Sequence, residues 1–318
     1  MSANGRIAVV RRFGPPEVIT LEEHSTPPLG AGQVRVAVRT GGLNPVDARL
    51  RSGTFGGSVP MALGTEFAGI VTESRDAAWT RGDEVIGWGV HGADADLVLT
   101  DDSRLHRKPA GLEWALAGGL GGVGSTALTA LDAVRAASGD LVVVHGAAGG
   151  VGTVLVQLAV ARGVTVIGTA SAANQEHVRL LGGTAVEYGP GLGERIAAAA
   201  EGRRVAASID LAGTAEAGDV AVAVTSAGGT AITLVPETMA SHGIRLVRVH
   251  RSGAAMAVLL DAVAAGTLVL PVQTLPLARI VEAHRRLDAK HSRGKLVLDL
   301  SDNPHLPDAV GTVAAEED

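Results

Sequence analysis

A strand, a glycine-rich turn, a helix and a second strand follow one another between Leu141 and Ser171, and this order restricts the possible folds. Leu141 to Val144 form a dense apolar run, which predicts a strand buried on both faces. Apolar residues recur at helical spacing from Val154 to Ala159, and Val164 to Ile167 predict the next strand. Strands that alternate with helices in this way indicate a doubly wound α/β sheet.

The turn of this unit has the glycines that a bound diphosphate requires. Gly146, Gly149, Gly150 and Gly152 lie between the first strand and the helix. Glycines there allow a tight turn, a close approach of the backbone to the phosphates, and close packing of helix against strand. The N–H groups at the start of the helix also favour an anion. The spacing therefore predicts a dinucleotide site, with Gly149, Gly150 and Val151 against the diphosphate.

The end of the second strand indicates which dinucleotide binds. An NAD site usually has Asp or Glu about 20 residues beyond the glycines, where the carboxylate holds the ribose 2′-hydroxyl. Residues 168–175 contain no carboxylate that would repel a 2′-phosphate, and Ser171 and Asn174 can hydrogen-bond to one. No Lys or Arg lies within the segment, and the nearest cationic candidates downstream are His177 and Arg179. We therefore expect NADP(H), with Ser171 at the 2′-phosphate.

Composition excludes several other classes of protein. The 318 residues have a formal net charge of −6 and no basic run, which argues against binding to nucleic acid. There is no cysteine, and therefore no disulfide, thiolate zinc site or thiol nucleophile. We expect a soluble, cytoplasmic protein without a membrane partner, because the sequence has neither a signal-peptide core nor an apolar run that could span a bilayer.

The chain has two sequence textures. Residues 1–117 predict short strands separated by turn clusters, which is typical of a compact barrel-like domain. Residues 118–265 alternate strand and helix, and residues 266–300 return to the β-rich pattern, so we expect them to rejoin the first domain. The expected strands of the middle part are 141–145, 164–168, 205–210 and 229–234. Residues 301–318 predict a disordered tail.

A second glycine cluster extends from Gly118 to Gly124. No apolar strand precedes it, so its context does not fit a second nucleotide site. The cluster instead predicts a bend that interrupts a helix.

Five short stretches carry a family resemblance. They are G-L-N-P-V-D (42–47), L-G-T-E-F-A-G (63–69), G-D-E-V (82–85), V-H-G-A-A-G-G-V-G (144–152) and G-K-L-V-L (294–298). In order and spacing they resemble the zinc-free, zeta-crystallin-like quinone oxidoreductases of the medium-chain dehydrogenase/reductase superfamily. This resemblance implies a doubly wound parallel Rossmann sheet inserted into a β-rich, GroES-like catalytic domain. It also implies a homodimer that uses NADPH to reduce quinones or activated alkenes.

The chain departs from the zinc-dependent relatives at their ligand positions. Those relatives carry a cysteine in the stretch that matches 42–47 and a G-H-E where this chain has Gly64-Thr65-Glu66. None of the ten histidines forms an HxxxH or HxH pair. We therefore expect no metal, and no alcohol oxidation through a zinc-bound alkoxide.

The resemblance also implies roles for residues outside the glycine turn. Thr126 matches a threonine that approaches the nicotinamide, and Leu234 begins a turn beside the carboxamide. Tyr188 is expected near the adenosine ribose, and Arg293 at the diphosphate. Structural alternatives remain open: a helix-capping hydroxyl for Thr126, half-buried packing for Tyr188 and a solvated charge for Arg293.

Asn44 and Arg49 are the residues expected at the substrate. Asn44 would hydrogen-bond the nicotinamide ribose or the substrate carbonyl, unless Asn44-Pro45 is only a turn. Arg49 replaces an aromatic residue or Lys of many relatives, and it either polarises the substrate oxygen or points at solvent. Gly92-Ala93-Asp94-Ala95-Asp96 replaces a G-A-Y-A-E pattern, which predicts a more charged and less aromatic pocket than flat quinones require.

No Ser/His/Asp set or carboxylate pair is visible in the sequence, which fits direct hydride transfer from a cofactor. The predicted activity is NADPH-dependent reduction of a quinone or α,β-unsaturated carbonyl, with hydride to the β-carbon and a proton from solvent. One alternative is an enoyl or ketone reductase of a secondary-metabolite pathway. Another is a non-catalytic protein that binds NADPH as a sensor.

Overall fold

The computed structural model describes residues 3–289 and 293–307, which form sixteen strands and nine α-helices. The strands are β1 Ala3–Val10, β2 Ile19–Thr26, β3 Gln33–Gly42, β4 Met61–Ala62, β5 Glu66–Ser74, β6 Glu84–Trp88, β7 Leu97–Asp101, β8 Leu105–Arg107, β9 Leu141–His145, β10 Thr165–Ala170, β11 Thr184–Glu187, β12 Val205–Asp210, β13 Thr230–Thr233, β14 Arg245–Leu246, β15 Val272–Pro276 and β16 Lys295–Asp299. The helices are α1 Pro45–Ser52, α2 Trp114–Val134, α3 Gly150–Ala161, α4 Gln175–Leu180, α5 Leu192–Ala200, α6 Ala215–Ser226, α7 Pro236–His242, α8 Gly253–Ala264 and α9 Ile280–Asp288.

The chain divides into two compact units at boundaries that differ from the predicted ones. The first unit comprises the described residues within Met1–Gly119, Thr274–Asp288 and Val297–Asp318, and the second those within Leu120–Gln273 and Ala289–Leu296. Two contacts explain why the segment before Gln273 belongs to the second unit. The Gln157 side chain bonds both the N–H and the C=O of Val269, and Lys295 donates to the Pro271 carbonyl at 2.9 Å.

The first unit is β-rich, as predicted. Its larger sheet has the strand order β15-β16-β3-β5-β6-β8, with β7 also paired to β3, and a smaller sheet has the order β2-β1-β4. Strand β5 was not predicted, although it pairs with β3 on one side and β6 on the other. Buried aliphatic side chains such as Val36, Val38 and Val71 form its core.

Residues 301–307 correct the prediction of a disordered tail. Asn303 is buried, and its side-chain amide donates to the carbonyls of Val38 at 2.8 Å and Asp96 at 2.7 Å. The Arg6 guanidinium also bridges Asp96 and Asp302. These hydrogen bonds to distant parts of the chain hold residues 301–307 in place, although the sequence of this segment has no helical or strand periodicity. The rest of the predicted tail, 308–318, lies outside the described residues.

The second unit is the predicted doubly wound sheet. Its six strands are all parallel, in the order β11-β10-β9-β12-β13-β14. Leu141, Val143 and Ile167 pack with apolar residues of α5 and α6 on one face. Strands β11 and β14 were not predicted, since four and two residues are too short to show an apolar run.

The predicted bend at the second glycine cluster is wrong, because α2 continues through it for 21 residues. A side chain at Gly118 would overlap Thr40, and one at Gly124 would overlap Leu259. These glycines therefore serve close packing of the helix against its neighbours, at a cost in helix propensity. Within residues 3–289 and 293–307, no helix is both long and apolar enough to cross a membrane.

Candidate functional site

The glycine turn between β9 and α3 is closely packed. Gly146 has a φ of +77°, and a side chain at Gly152 would overlap the Gly146 carbonyl oxygen. Helix α3 begins at Gly150 without a side-chain cap at Gly149. The N–H groups of its first turn therefore need another acceptor, and an anion such as a diphosphate satisfies them.

A second segment of the chain lies against this turn. Gly294 pairs with Gly149 as a parallel bridge, and its N–H donates to the Ala148 carbonyl at 3.1 Å. The φ of Gly294 is +71°, and a side chain there would overlap the Pro271 carbonyl. The backbone of Arg293 is therefore beside the glycine turn, and its side chain is exposed.

His177 connects the first turn of α3 to α4. Its Nε2 lies 3.0 Å from Thr153 Oγ1, and both residues are buried. Burial lowers the pKa of His177, and the positive charge of Arg293 lowers it further. A neutral His177 does not supply the cation suggested for the 2′-phosphate, and Arg179 is paired with Glu176 at 3.1 Å.

The end of β10 presents hydroxyl and amide groups. Asn174 Nδ2 donates to Ser171 Oγ at 3.2 Å, and both residues are half-buried. The Tyr188 N–H donates to the Ala170 carbonyl at 3.3 Å, which brings this half-exposed tyrosine to the same strand end. Arg195 donates to three carbonyls of residues 187–190 and so holds the loop that carries Tyr188.

Thr126 and Leu234 belong to the same unit as the glycine turn. Thr126 lies inside α2, where its hydroxyl donates to the Gly122 carbonyl at 2.6 Å, so the helix-capping alternative is wrong. Leu234 follows β13, and its N–H donates to the Asp210 carbonyl at 3.0 Å.

Two buried ionisable side chains lie at the ends of β9 and β12. His145 and Asp210 are register neighbours, so their side chains project from the same face of the sheet. Burial lowers the pKa of His145 to about 4, and the Asp210 carboxylate opposes this shift. The imidazole is therefore neutral at pH 7. The sequence pattern assigned neither residue a role in the site.

Asn44 is the N-cap of α1 and lies in the first unit. Its side chain is buried, and its Nδ2 donates to Glu66 Oε1 at 2.8 Å, while its N–H donates to Asp47 Oδ2 at 2.7 Å. Asn44 thus forms a capping box with Asp47 at the start of α1, and two carboxylates hold it. Glu66 is the contact that orients the amide, a role that the stretch L-G-T-E-F-A-G did not reveal.

Arg49 lies in the last turn of α1, and its side chain is half-buried. Its guanidinium carbon is 5.5 Å from the centre of the Phe55 ring, a cation–π distance. Phe55 is 45% exposed. An accessible aromatic ring therefore accompanies the charge of Arg49.

The side chains named above do not form a set of metal ligands. In the part of the chain that the structure describes, no group of three or more His, Cys, Asp or Glu is arranged to hold a metal ion.

Comparison with known proteins identifies the family. A model of the alcohol dehydrogenase GroES-like domain matches residues 30–134, and a model of the zinc-binding dehydrogenases matches residues 165–298. The rat quinone oxidoreductase is 34% identical over 168 residues. The structure of the quinone oxidoreductase from Coxiella burnetii has a TM-score of 0.84 at 27% identity, and the match covers 94% of this chain and 100% of that one. The chain belongs to the quinone oxidoreductase branch of the medium-chain dehydrogenase/reductase superfamily.

The predicted family and fold are thereby confirmed. The match to the rat protein covers 51% of this chain and 51% of that protein, so the chain spans about half the length of the curated relatives it matches. A mycobacterial protein whose structure was solved in complex with NADPH has a TM-score of 0.83 at 26% identity, covering 93% of this chain and 99% of that one.

Proposed function

We propose that this protein is an NADPH-dependent oxidoreductase that reduces a quinone or an α,β-unsaturated carbonyl compound by direct hydride transfer without a metal. The observation that carries the proposal is the end of β10, where Ser171 and Asn174 lie together and no carboxylate is present before Glu176. The branch to which the chain belongs and the NADPH complex of a similar structure support the same cofactor.

The residues of the second unit fit this cofactor. The uncapped first turn of α3 offers N–H groups of Gly150 and Val151 to the diphosphate, and Arg293 adds a positive charge whose effect reaches His177. Ser171 Oγ can hydrogen-bond a 2′-phosphate, and Tyr188 can pack against the adenosine ribose from the neighbouring strand end. The glycines at 146, 149, 150 and 152 have no side chains that would keep the phosphates from the backbone of the turn.

The residues of the first unit fit the substrate end of the reaction. NADPH supplies a hydride for the alkene or quinone when it is bound. Asn44, oriented by Glu66, would hydrogen-bond the nicotinamide ribose or the substrate carbonyl. Arg49 would stabilise the negative charge that develops on the substrate oxygen, and Phe55 would offer an apolar face beside it. The final proton would come from solvent.

A metal has no role in this proposal. The chain has no cysteine, and Thr65 stands where zinc-dependent relatives have a ligating histidine. We therefore assign the stabilisation of the negative charge on the substrate oxygen to polar and cationic side chains, and not to a metal that acts as a Lewis acid.

The cofactor assignment is tested by calorimetric titration with NADPH and NADH. The unaltered protein should bind NADPH more tightly, and Ser171→Asp should reverse the order, because a carboxylate there repels a 2′-phosphate and accepts a 2′-hydroxyl. Ser226→Asp, an exposed serine at the end of α6, is the matched control and should leave the order unchanged. Equal or tighter binding of NADH to the unaltered protein would refute the assignment.

Turnover is tested separately with a panel of enones, quinones and enoyl thioesters. Consumption of NADPH with an enone or quinone supports the proposed activity, and turnover confined to enoyl thioesters would favour an enoyl reductase. Tight binding of NADPH without turnover of any substrate would favour a sensor.

A further inference from the structure

Asp210 is a completely buried carboxylate that receives four hydrogen bonds. Its Oδ1 accepts the N–H groups of Ala212 and Gly213, each at 2.9 Å. Its Oδ2 accepts the hydroxyl of Thr233 at 2.8 Å and that of Thr238 at 2.6 Å. One side chain at the end of β12 therefore joins the turn after its own strand to the turn between β13 and α7.

These bonds surround Leu234, the residue at which, by the family resemblance, the turn beside the nicotinamide carboxamide begins. The Leu234 N–H donates to the main-chain carbonyl of Asp210 at 3.0 Å. Thr233, on one side, is bound to the Asp210 carboxylate, and the N–H of Val235, on the other, donates to Thr233 Oγ1 at 2.9 Å. The backbone on both sides of Leu234 thus depends on Asp210.

Helix α7 begins in this turn without a side-chain cap of its own, since its N-cap is Val235. Thr238, in the first turn of α7, is 2% exposed and contacts Asp210 through its hydroxyl. The start of α7 is therefore attached to the sheet by a carboxylate from another strand. Hydrogen bonds to a charged, buried acceptor are stronger than neutral ones, which makes Asp210 a firm attachment point.

The surroundings of Asp210 keep this arrangement in place. His145 is its register neighbour on β9, and the low pKa of that buried imidazole keeps it uncharged at neutral pH. Neither ring nitrogen of His145 has a hydrogen-bond partner among the described residues, so the imidazole does not bond Asp210. The donors to Asp210 are the N–H groups of the turn after β12, the hydroxyl of Thr233 at the end of β13 and the hydroxyl of Thr238 in α7.

We propose that Asp210 is the positioning residue for the nicotinamide end of the cofactor site, acting through Thr238, Thr233 and the backbone of Leu234. The inference rests on the proposed function, because it needs a dinucleotide across the strand ends. Loss of the Asp210 hydrogen bonds should affect only the nicotinamide end of that dinucleotide. The adenosine end depends on Ser171 and the glycine turn, which share no hydrogen bond with Asp210 among those described.

The test measures the affinity of the full chain for two probes, NADPH and 2′,5′-ADP, which lacks the nicotinamide half. Thr238→Val removes one hydroxyl that binds Asp210 and keeps the shape of the side chain. It should weaken NADPH binding about tenfold, equivalent to about 1.4 kcal/mol, and leave 2′,5′-ADP binding within about twofold. Thr238→Ser, which keeps the hydroxyl, should restore NADPH binding.

A matched control is Thr225→Val, because the Thr225 hydroxyl donates only to the Ala221 carbonyl within α6 and should affect neither probe. Asp210→Asn provides a second variant of nearly identical shape if Thr238→Val does not fold. A parallel loss of both probes, or no loss of either, would overturn the inference while leaving the proposed function intact. Failure of the unaltered protein to bind either probe would overturn the proposed function and this inference together.

Discussion

Acidification should destabilise the first unit through His284, a histidine of α9 that is completely buried. Its Nδ1 lies 3.2 Å from Nη1 of Arg51, which can only donate, so Nδ1 is the acceptor. Arg51 also donates to the Gly14 carbonyl and, at 2.8 Å, to Asp288. Burial, followed by the charge of Arg51, lowers the pKa of His284 to about 3.

The sign and size of the effect follow from the difference in pKa between the two states. In the unfolded chain a histidine has a pKa of about 6.5, so below that pH the unfolded state binds a proton that the folded state refuses. Stability is complete above pH 6.5 and falls as the pH decreases towards the folded pKa of about 3. Between pH 7.5 and 5.5 His284 alone should cost about 1.4 kcal/mol of unfolding free energy.

The assay is denaturant unfolding followed by tryptophan fluorescence at several pH values. All three tryptophans, Trp79, Trp88 and Trp114, belong to the first unit, so the signal reports the unit that contains His284. His284→Asn keeps an acceptor for Arg51 but cannot titrate, and it should remove the loss measured between pH 7.5 and 5.5. His24→Asn, at an exposed position, should not. A pH dependence that is unchanged in His284→Asn would refute the argument.

Three further predictions concern packing, metal and substrate. Gly118→Ala should destabilise the first unit by about 1–3 kcal/mol because the new methyl group overlaps Thr40, whereas Gly193→Ala, in open space on α5, should raise stability by about 0.5–1 kcal/mol; urea unfolding measures both. Activity should survive exhaustive chelation, since Thr65 and the absence of cysteine leave no zinc site of the family type; stoichiometric zinc in chelated, active enzyme would contradict this. Arg49→Ala should lower kcat/KM for an enone that bears a carboxylate by about 1.5–3 kcal/mol with NADPH affinity unchanged, while a loss of NADPH binding would assign Arg49 to the cofactor.

The sequence by itself determined the features that depend on residues close together along the chain. Strands β9 and β12 both have the predicted bounds, and the unbroken apolar run Leu141 to Val144 requires burial of β9. The glycines at 146–152 and the lack of a carboxylate after β10 are likewise local properties. The predictions of a dinucleotide turn and of NADP(H) rest on these local properties.

The tertiary structure decided everything that depends on residues far apart in the chain. The glycines of α2 predict a bend locally, but contact with Thr40 and Leu259 makes small residues necessary in a continuous helix. Asp210 reaches Thr238, 28 residues away, and Glu66 reaches Asn44, 22 residues away. A sequence pattern records how apolar a segment is, but not which buried donor will meet which acceptor. Those partners are chosen when the strands pair and the helices pack, because a buried polar group must then find its hydrogen bond within the fold.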